Sequence, residues 1–114
     1  MHMKLQIISV EEYEKAWKNK DCILLDLRDR EKYEKGHIPD ALWTDWETLE
    51  DNMGKILPLS RKEEKAVIMY CDRGNTSLLM ARDIGRLGYH AISLGGGYQA
   101  WSYFQEQKHN NKIT

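Results

Sequence analysis

A cysteine directly follows the most apolar segment of the chain. Residues 66–70 are apolar throughout, and they lead into Cys71-Asp72-Arg73-Gly74-Asn75-Thr76-Ser77. The thiolate is the nucleophilic form of cysteine, and it needs surroundings that favour negative charge. A short loop containing glycine can supply them by turning successive backbone N–H groups toward an anion. The sequence therefore indicates thiol chemistry at Cys71, the alternative being a small buried residue that merely ends a strand.

The residues after Cys71 add charge and hydrogen-bond donors to this loop. Arg73 is a cation able to attract an anionic substrate, and the hydroxyls of Thr76 and Ser77 can donate to bound oxygen or sulfur. Asp72 acts in the opposite sense, because a carboxylate beside the cysteine opposes thiolate formation. We expect Cys71 to be catalytic and the substrate to be bound by Asp72, Arg73, Gly74, Asn75, Thr76 and Ser77.

Alternating strands and helices must position this loop. The apolar patterns predict strands at 5–8, 22–25, 41–43, 66–70 and 91–94, and helices at 10–18, 30–35, 46–53, 77–87 and 98–108. The capping and terminating residues of these helices are Ser9, Glu12, Gly36, Gly54 and Gly88. Buried strands separated by helices indicate a parallel or mostly parallel sheet covered on both faces. Ligands of such sheets bind beyond the carboxyl ends of the strands, which is where Cys71 lies.

Length and composition describe an ordinary globular chain. The sequence has 114 residues, of which 41% are hydrophobic and 31% are charged, and this matches one compact domain with its own core. A formal net charge of −1 gives no reason to expect nucleic acid or a membrane as a partner. The two cysteines are too few for a disulfide framework and too isolated for a zinc site. We therefore expect no metal and a reducing, cytoplasmic setting.

The two ends of the chain carry no functional signal of their own. Residues 1–4 lack the apolar core and the cleavage site of a signal peptide, and residues 1–3 are consistent with a cloning remnant. Residues 109–114 are polar, and we expect them to form a frayed tail. We expect residues 1–114 to form a single domain without a linker.

Three motifs together resemble the rhodanese family and cover nearly the whole chain. One is similar to the family's amino-terminal signature and consists of Leu25-Asp26-Leu27-Arg28, Glu31, Tyr33 and Gly36-His37-Ile38-Pro39-Asp40-Ala41. The second, residues 70–77, is similar to the family's six-residue active-site loop. The third is similar to its carboxy-terminal signature and consists of Leu94-Gly95-Gly96-Gly97-Tyr98-Gln99-Ala100-Trp101. Any one of these motifs is weak, whereas all three in order are highly specific.

The resemblance implies both a fold and an activity. The fold would be α/β and rhodanese-like, with a central, mostly parallel five-stranded sheet and helices on both faces. The activity would be that of a sulfurtransferase without cofactor or metal. Cys71 would take sulfur from a small anionic donor, such as thiosulfate or a persulfide, and pass it to a thiol, a protein or cyanide. Asp72 departs from thiosulfate-using members, which often have a basic or neutral residue there, and it weakens the attraction for a doubly charged donor.

Other residues near this edge of the sheet have structural interpretations. Asp26 and Arg28 end a buried strand, and we expect them to support the site by pairing with the backbone or with Glu31. His37 belongs to the first motif, and persulfide transfer needs no general base if the thiol is already ionised. The triple glycine 95–97 lacks the Lys-Ser/Thr of a phosphate loop, so we expect it to provide close backbone packing beside the active-site loop.

Two other functions stay possible on the sequence alone. A cysteine phosphatase or arsenate reductase shares the strand–loop–helix arrangement, but its loop is one residue longer and ends in an arginine, where this chain has Ser77. A non-catalytic rhodanese-like module would bind a partner or carry sulfur without turnover, although such modules often lack the cysteine.

Cys22 opens a strand at the edge of the sheet opposite Cys71, so we expect it to pack in the core and not to form a disulfide.

Overall fold

Five parallel strands form one sheet at the centre of the molecule. The computed structural model describes the backbone of residues 5–113 and the side chains of residues 5–110. The strands are β1 (Gln6–Ile8), β2 (Cys22–Asp26), β3 (Leu42–Trp43), β4 (Ala66–Tyr70) and β5 (Ala91–Leu94). They lie in the order β1-β5-β4-β2-β3, and every neighbouring pair is parallel. The five-stranded sheet expected from the sequence is confirmed, and over the described residues it is parallel throughout.

Five helices surround this sheet within residues 5–113. They are α1 (Val10–Glu12), which continues as a π-helical segment (Tyr13–Trp17), α2 (Arg30–Lys35), α3 (Leu49–Ile56), α4 (Asn75–Arg86) and α5 (Gly97–Ile113). Short 3-10 turns cover Trp46–Thr48 and Leu59–Arg61. The predicted capping box begins α1, because the Ser9 hydroxyl accepts from the Glu12 N–H at 3.0 Å and the Glu12 carboxylate accepts from the Ser9 N–H at 3.2 Å.

Apolar side chains on the two faces of the sheet form two separate cores. Along β4, Val67 and Met69 pack with α3 and α4, whereas Ile68 and Tyr70 pack with α1, its π-helical continuation and α5. Successive side chains of a strand point to opposite faces, so burial of all four requires cover on both sides. This arrangement explains why β4 is an unbroken apolar run, and it confirms that helices lie on both faces of the sheet.

The helix α3 is shifted from its predicted boundaries at both ends. A 3-10 turn occupies the first predicted residues, and the helix continues through Gly54, where it was predicted to end. A glycine inside a helix costs about 1 kcal/mol relative to alanine. Burial of Leu49, Met53 and Leu57 on one side of the segment outweighs this cost, since each large apolar side chain contributes about 1.5–3 kcal/mol.

The helix α4 begins two residues before its predicted start. Gly74 adopts a left-handed backbone conformation, with φ of +105°, and turns the chain directly into the helix at Asn75. The first turn of α4 consequently includes Asn75, Thr76 and Ser77, which the sequence had placed mostly in the loop. This early start brings the helix terminus close to Cys71.

The strand register brings the functional residues to one edge of the sheet. Asp26 ends β2 and is the direct partner of Tyr70, which ends β4. Cys71 therefore lies beside the residues that follow β2, at the carboxyl edge where parallel sheets bind ligands. Cys22 pairs with Ala66 at the other edge, so the two cysteines lie at opposite ends of the sheet as predicted.

The described residues include most of the tail predicted to fray and none of the predicted cloning remnant. The predicted cloning remnant at residues 1–3 lies outside the described residues. The helix α5 runs to Ile113, past its predicted end near residue 108 and into the segment predicted to fray. No helix between residues 5 and 113 has the length and hydropathy that a membrane span requires.

Burial of Tyr13 predicts a loss of stability at alkaline pH. Burial, aided by neighbouring acidic groups, raises the pKa of the Tyr13 hydroxyl from 10.0 to about 12. Because the folded state holds this proton more tightly, the contribution to stability is complete below pH 10 and is lost as the pH rises toward 12. The urea midpoint should fall less between these pH values in Tyr13→Phe than in the unsubstituted protein. The exposed Tyr103→Phe is the control, and equal falls in all three chains would contradict the prediction.

Candidate active site

The sulfur of Cys71 accepts two hydrogen bonds from the backbone of its own loop. The N–H of Gly74 lies 3.1 Å from Sγ, and the N–H of Ser77 lies 3.4 Å from it. Cys71 is 7% exposed, so it is shielded by the loop but not sealed from solvent. Backbone amides that converge on one atom form a cradle for an anion. The amide cradle inferred from the sequence is present at these two positions.

The same sulfur caps the amino terminus of α4. The N-cap residue Gly74 has no side chain to accept a hydrogen bond, and the N–H groups of a first helical turn have no partners within the helix. Cys71 Sγ takes the N–H of Ser77, the third residue of α4, as a capping side chain would. The positive end of the helix dipole therefore acts on the atom that would carry the charge of a thiolate.

Two buried hydroxyls extend inward from the sulfur. Ser77 Oγ lies 3.6 Å from Cys71 Sγ and 2.9 Å from Ser93 Oγ. Ser77 is fully buried and Ser93 is 1% exposed. The sequence predicts that the Ser77 hydroxyl donates either to sulfur or to a bound oxygen. Because the side chain is buried against Cys71, contact with sulfur is the role that fits, and contact with a substrate oxygen is not. Ser93 is not among the residues predicted from the sequence to belong to the site. The one sequence feature that could have indicated it is that it is a polar residue within the apolar run of β5.

The outer side of the loop carries its charged residues. Asp72 and Arg73 are exposed, and Asp72 pairs with Lys32 of α2 at 3.0 Å. Asn75 is exposed and Thr76 is half-buried in the first turn of α4. Lys32 was not predicted from the sequence, because its position depends on how α2 packs against the sheet edge. A cavity of about 340 Å³ beside the loop is lined by Lys32, Asp72, Arg73, Tyr98 and Gln99.

The glycine turn before α5 holds the loop from behind. The N–H of Tyr98 donates to the Cys71 carbonyl at 2.8 Å, and the N–H of Gln99 donates to the Asp72 carbonyl at 3.0 Å. Gly97 has φ of +60°, and a Cβ at this residue would collide with the Cys71 carbonyl oxygen. Only glycine permits this backbone conformation and approach without strain. The close packing of the triple glycine beside the loop, inferred from the sequence, is confirmed.

A buried ion pair supports the sheet edge next to the loop. Arg28 donates to the carboxylate of Asp26 through Nε at 3.1 Å and Nη2 at 2.8 Å, and Nη2 also donates to the Gly36 carbonyl at 2.6 Å. The hydroxyl of Tyr70 donates to the same carboxylate at 2.6 Å. Of the two kinds of partner expected for Asp26 and Arg28, the backbone partners are present, through the Gly36 carbonyl and the Arg28 N–H, and the expectation of Glu31 is wrong. Those two residues are buried and satisfy each other, whereas Glu31 is exposed on α2.

Burial and hydrogen bonds determine the protonation states in this cluster. Burial opposes the charge of Arg28, but the hydrogen bonds and charge of Asp26 outweigh it and raise the pKa of the guanidinium. Burial, followed by the hydrogen bond to Asp26, raises the pKa of the Tyr70 hydroxyl. Arg28 is therefore cationic and Tyr70 neutral near pH 7. The Arg28 guanidinium also lies 3.8 Å from the ring centroid of Tyr98, at the start of α5.

Two further candidates from the sequence occupy packed positions. The ring of His37 stacks on Tyr33 with centroids 4.1 Å apart, and its Nδ1 lies 2.9 Å from the carbonyl oxygen of Ile38. Cys22 Sγ donates to the Trp17 carbonyl at 3.4 Å, and burial raises the pKa of this thiol. Among the side chains of residues 5–110, no group of His, Cys, Asp or Glu converges as a metal site would require.

Comparison with known proteins identifies the family. The family model of the rhodanese-like domain matches residues 9–103, a range that contains all three sequence motifs. The chain therefore belongs to the rhodanese-like domain family. The resemblance inferred from the motifs and the fold class expected from it are both confirmed.

Named relatives match the chain over almost its full length. It is 32% identical over 113 residues to the thiosulfate sulfurtransferase GlpE of Coxiella burnetii (strain RSA 331 / Henzerling II), covering 96% of this chain and 98% of the relative. The structure of the human single-domain sulfurtransferase TSTD1 matches with a TM-score of 0.74 at 23% identity, covering 88% of this chain and 97% of that one. A rhodanese-like domain protein from Staphylococcus aureus matches with a TM-score of 0.72 at 24% identity, covering 85% and 91%. The two structural matches establish the fold.

Replacement of Gly97 tests the fit between the glycine turn and the active-site loop. Gly97→Ala introduces a strained φ and a collision with the Cys71 carbonyl, so we expect it to lower the free energy of unfolding by more than about 1 kcal/mol. Gly54→Ala is the matched control, since its Cβ meets no atom within 4 Å and lies within a helix. We expect this control to stabilise the protein by about 0.5–1 kcal/mol. Urea denaturation measures both, and similar effects of the two changes would refute the close fit.

Proposed function

We propose that this chain is a sulfurtransferase that carries sulfane sulfur as a persulfide on Cys71. The observation that carries the proposal is the position of the thiol, which accepts the N–H groups of Gly74 and Ser77 at the amino terminus of α4. This environment favours the Cys71 thiolate, and after uptake of a second sulfur atom it favours the persulfide anion whose charge lies on that outer atom. Membership of the rhodanese-like domain family supports the same activity.

The proposed transfer has two half-reactions. The Cys71 thiolate attacks the outer sulfur of the donor; with thiosulfate, a new S–S bond forms, the donor's S–S bond breaks and sulfite leaves. The loop amides then stabilise the persulfide anion, as an oxyanion hole stabilises oxygen. An acceptor thiolate or cyanide next attacks the terminal sulfur, giving a new persulfide or thiocyanate and restoring the Cys71 thiolate. Electrons balance over the cycle without an external oxidant, and the chemistry calls for no cofactor.

We propose a small anionic donor of the thiosulfate class and a thiol or protein thiol as acceptor. The Coxiella burnetii relative is named a thiosulfate sulfurtransferase. Arg73 and Lys32 supply positive charge around the cavity beside the loop, and the Lys32–Asp72 ion pair reduces the repulsion that Asp72 exerts on an anion. Free thiols also favour a reducing compartment such as the cytoplasm, since Cys22 and Cys71 are both unpaired.

The alternative of a cysteine phosphatase has less support. Such an enzyme holds phosphate oxygens with an arginine at the end of its loop, and this chain has Ser77 there. The Ser77 side chain is fully buried and contacts Cys71 and Ser93, so it is not available to a phosphate. The loop amides instead approach the sulfur closely.

Sulfur loading of Cys71 is the direct test. After incubation with thiosulfate, we expect intact-protein mass spectrometry to show one added sulfur atom that cyanide removes as thiocyanate. Cys71→Ser should gain no sulfur, whereas Cys22→Ser should load as fully as the unsubstituted protein because Cys22 lies at the opposite edge of the sheet.

The outcomes of this experiment separate the candidate functions. No adduct with thiosulfate, polysulfide or glutathione persulfide would refute the sulfurtransferase and favour a partner-binding module. Hydrolysis of a phosphate ester that depends on Cys71 would favour a phosphatase. Loading without transfer to any thiol or to cyanide would restrict the protein to a sulfur carrier.

The charges on the loop predict how donor preference changes. Asp72→Asn removes a carboxylate beside the cysteine, so kcat/KM for thiosulfate should rise by about two- to fivefold, the range expected for exposed charges. Lys32→Gln should lower it by a similar factor, because Asp72 then lacks its ion-pair partner. Both effects should shrink in high salt. A rate that is unchanged in both variants at low salt would show that these charges do not act on the donor.

A further inference from the structure

The transfer chemistry leaves a buried pair of hydroxyls next to Cys71 without a role. Ser93 lies in β5, is 1% exposed and is the register partner of the fully buried Met69 of β4. A hydroxyl in such surroundings is costly unless it is hydrogen-bonded. Its contact is with Ser77 Oγ at 2.9 Å, and Ser77 in turn contacts the sulfur of Cys71. The pair thus links the middle of the sheet to the reacting atom.

One direction of the hydrogen bond between the two serines satisfies both hydroxyl protons. Within the described residues, Ser77 Oγ is the side-chain partner found for the Ser93 hydroxyl. Ser77 Oγ has a second acceptor for its own proton, the Gly74 carbonyl at 3.3 Å. If Ser77 donated to Ser93, the buried Ser93 proton would lack an acceptor. The favourable arrangement therefore has Ser93 donating to Ser77, because a hydroxyl offers one donor and two acceptor positions.

This arrangement can adapt when Cys71 becomes charged. With a neutral thiol, Sγ–H donates to Ser77 Oγ at 3.6 Å, and the Ser77 proton is directed to the Gly74 carbonyl. When the thiol loses its proton, the Ser77 hydroxyl can rotate and donate to the anionic sulfur. The bond from Ser93 persists through this rotation and polarises the Ser77 O–H, since hydrogen bonds in a chain strengthen one another in a low-dielectric interior.

We propose that Ser93 is a positioning residue for sulfur transfer: it holds and polarises the Ser77 hydroxyl so that this group donates to the Cys71 sulfur in its thiolate state. The proposal rests on the proposed role of Cys71 as sulfur carrier. Ser77 touches the reacting sulfur, whereas Ser93 acts through Ser77 and touches neither donor nor acceptor. The Ser77 hydroxyl would serve the thiolate before sulfur uptake and again once transfer restores it, whereas the charge of the persulfide lies on the outer sulfur.

The pH dependence of Cys71 alkylation tests the proposal without requiring turnover. The rate with iodoacetamide is measured in a Cys22→Ser background, so that Cys71 is the reacting thiol. Ser93→Ala removes one neutral hydrogen bond from the series that leads to the sulfur. We therefore expect the pH at which the alkylation rate is half-maximal to rise by roughly half a unit. Ser77→Ala removes the donor to the anion itself and should move it by about one unit. An unchanged midpoint in Ser93→Ala would overturn the proposal.

A pair of substitutions of equal shape separates the hydroxyl from its packing. Ser93→Thr keeps the hydroxyl and Ser93→Val replaces it with a methyl group, and both add the same bulk at a residue that is 1% exposed. We expect the alkylation midpoint of the Thr variant to stay close to that of the unsubstituted protein and the Val variant to resemble Ser93→Ala. Equal midpoints in the Thr and Val variants would show that Ser93 only fills space, even if Ser93→Ala proves unstable.

A double-mutant cycle shows whether Ser93 acts through Ser77. In a Ser77→Ala background, Ser93→Ala should cause no further shift of the midpoint, because the hydroxyl that it positions is absent. If Ser93→Ala shifted the alkylation midpoint equally with Ser77 present and with Ser77 replaced by alanine, Ser93 would not act through Ser77. Sulfur loading, followed by mass spectrometry, is measured separately in every variant. If Cys71 never accepts sulfur, the proposed function fails, while the alkylation data still decide the role of Ser93.

Discussion

The buried carboxylate of Asp26 is the group around which the catalytic edge of the sheet is organised. It accepts hydrogen bonds from the backbone and side chain of Arg28 and from the hydroxyl of Tyr70. Removing both charges from water costs several kcal/mol per ion, and the dense set of hydrogen bonds offsets that cost. Loss of one partner would leave an uncompensated charge, at a cost of about 3–5 kcal/mol. The cluster therefore has one favourable arrangement, and the elements attached to it are held in register.

From this cluster, two connections lead to the sulfur. Tyr70 is covalently next to Cys71, so its hydrogen bond to Asp26 fixes the point at which β4 ends and the loop begins. The Arg28 guanidinium stacks on Tyr98, whose N–H donates to the Cys71 carbonyl. Cys71 is thus held in place through the preceding residue, Tyr70, and through its own backbone carbonyl. This double restraint explains how a loop of a few residues can keep two amides directed at a single atom.

The sequence was sufficient for the features that depend on local pattern. The hydrophobic period predicts the alternation of strands and helices and the loop after β4. The run of three glycines at 95–97 predicts close packing of the backbone. It failed where the outcome depends on packing between distant segments. Spacing alone does not show whether Arg28 pairs with Asp26 or with Glu31, because the burial of the two carboxylates decides between them. Ser93 and Lys32 were missed for the same reason, since each reaches the site from an element far from Cys71 in the sequence.

The thiol of Cys71 lies between two electrostatic environments that work by different means. On its inner side are neutral hydrogen-bond donors in a buried interior of low dielectric constant, where hydrogen bonds are strong and little screened by salt. On its outer side are Asp72 and Lys32, which are exposed and whose effects water and salt screen. The inner hydrogen-bond donors act on the charge of the Cys71 thiolate, whichever molecule then supplies the sulfur. The outer charges act on the molecule that approaches. Because the two sets share no residue, substitutions on the exposed loop can change donor preference while the capacity to hold a persulfide is kept.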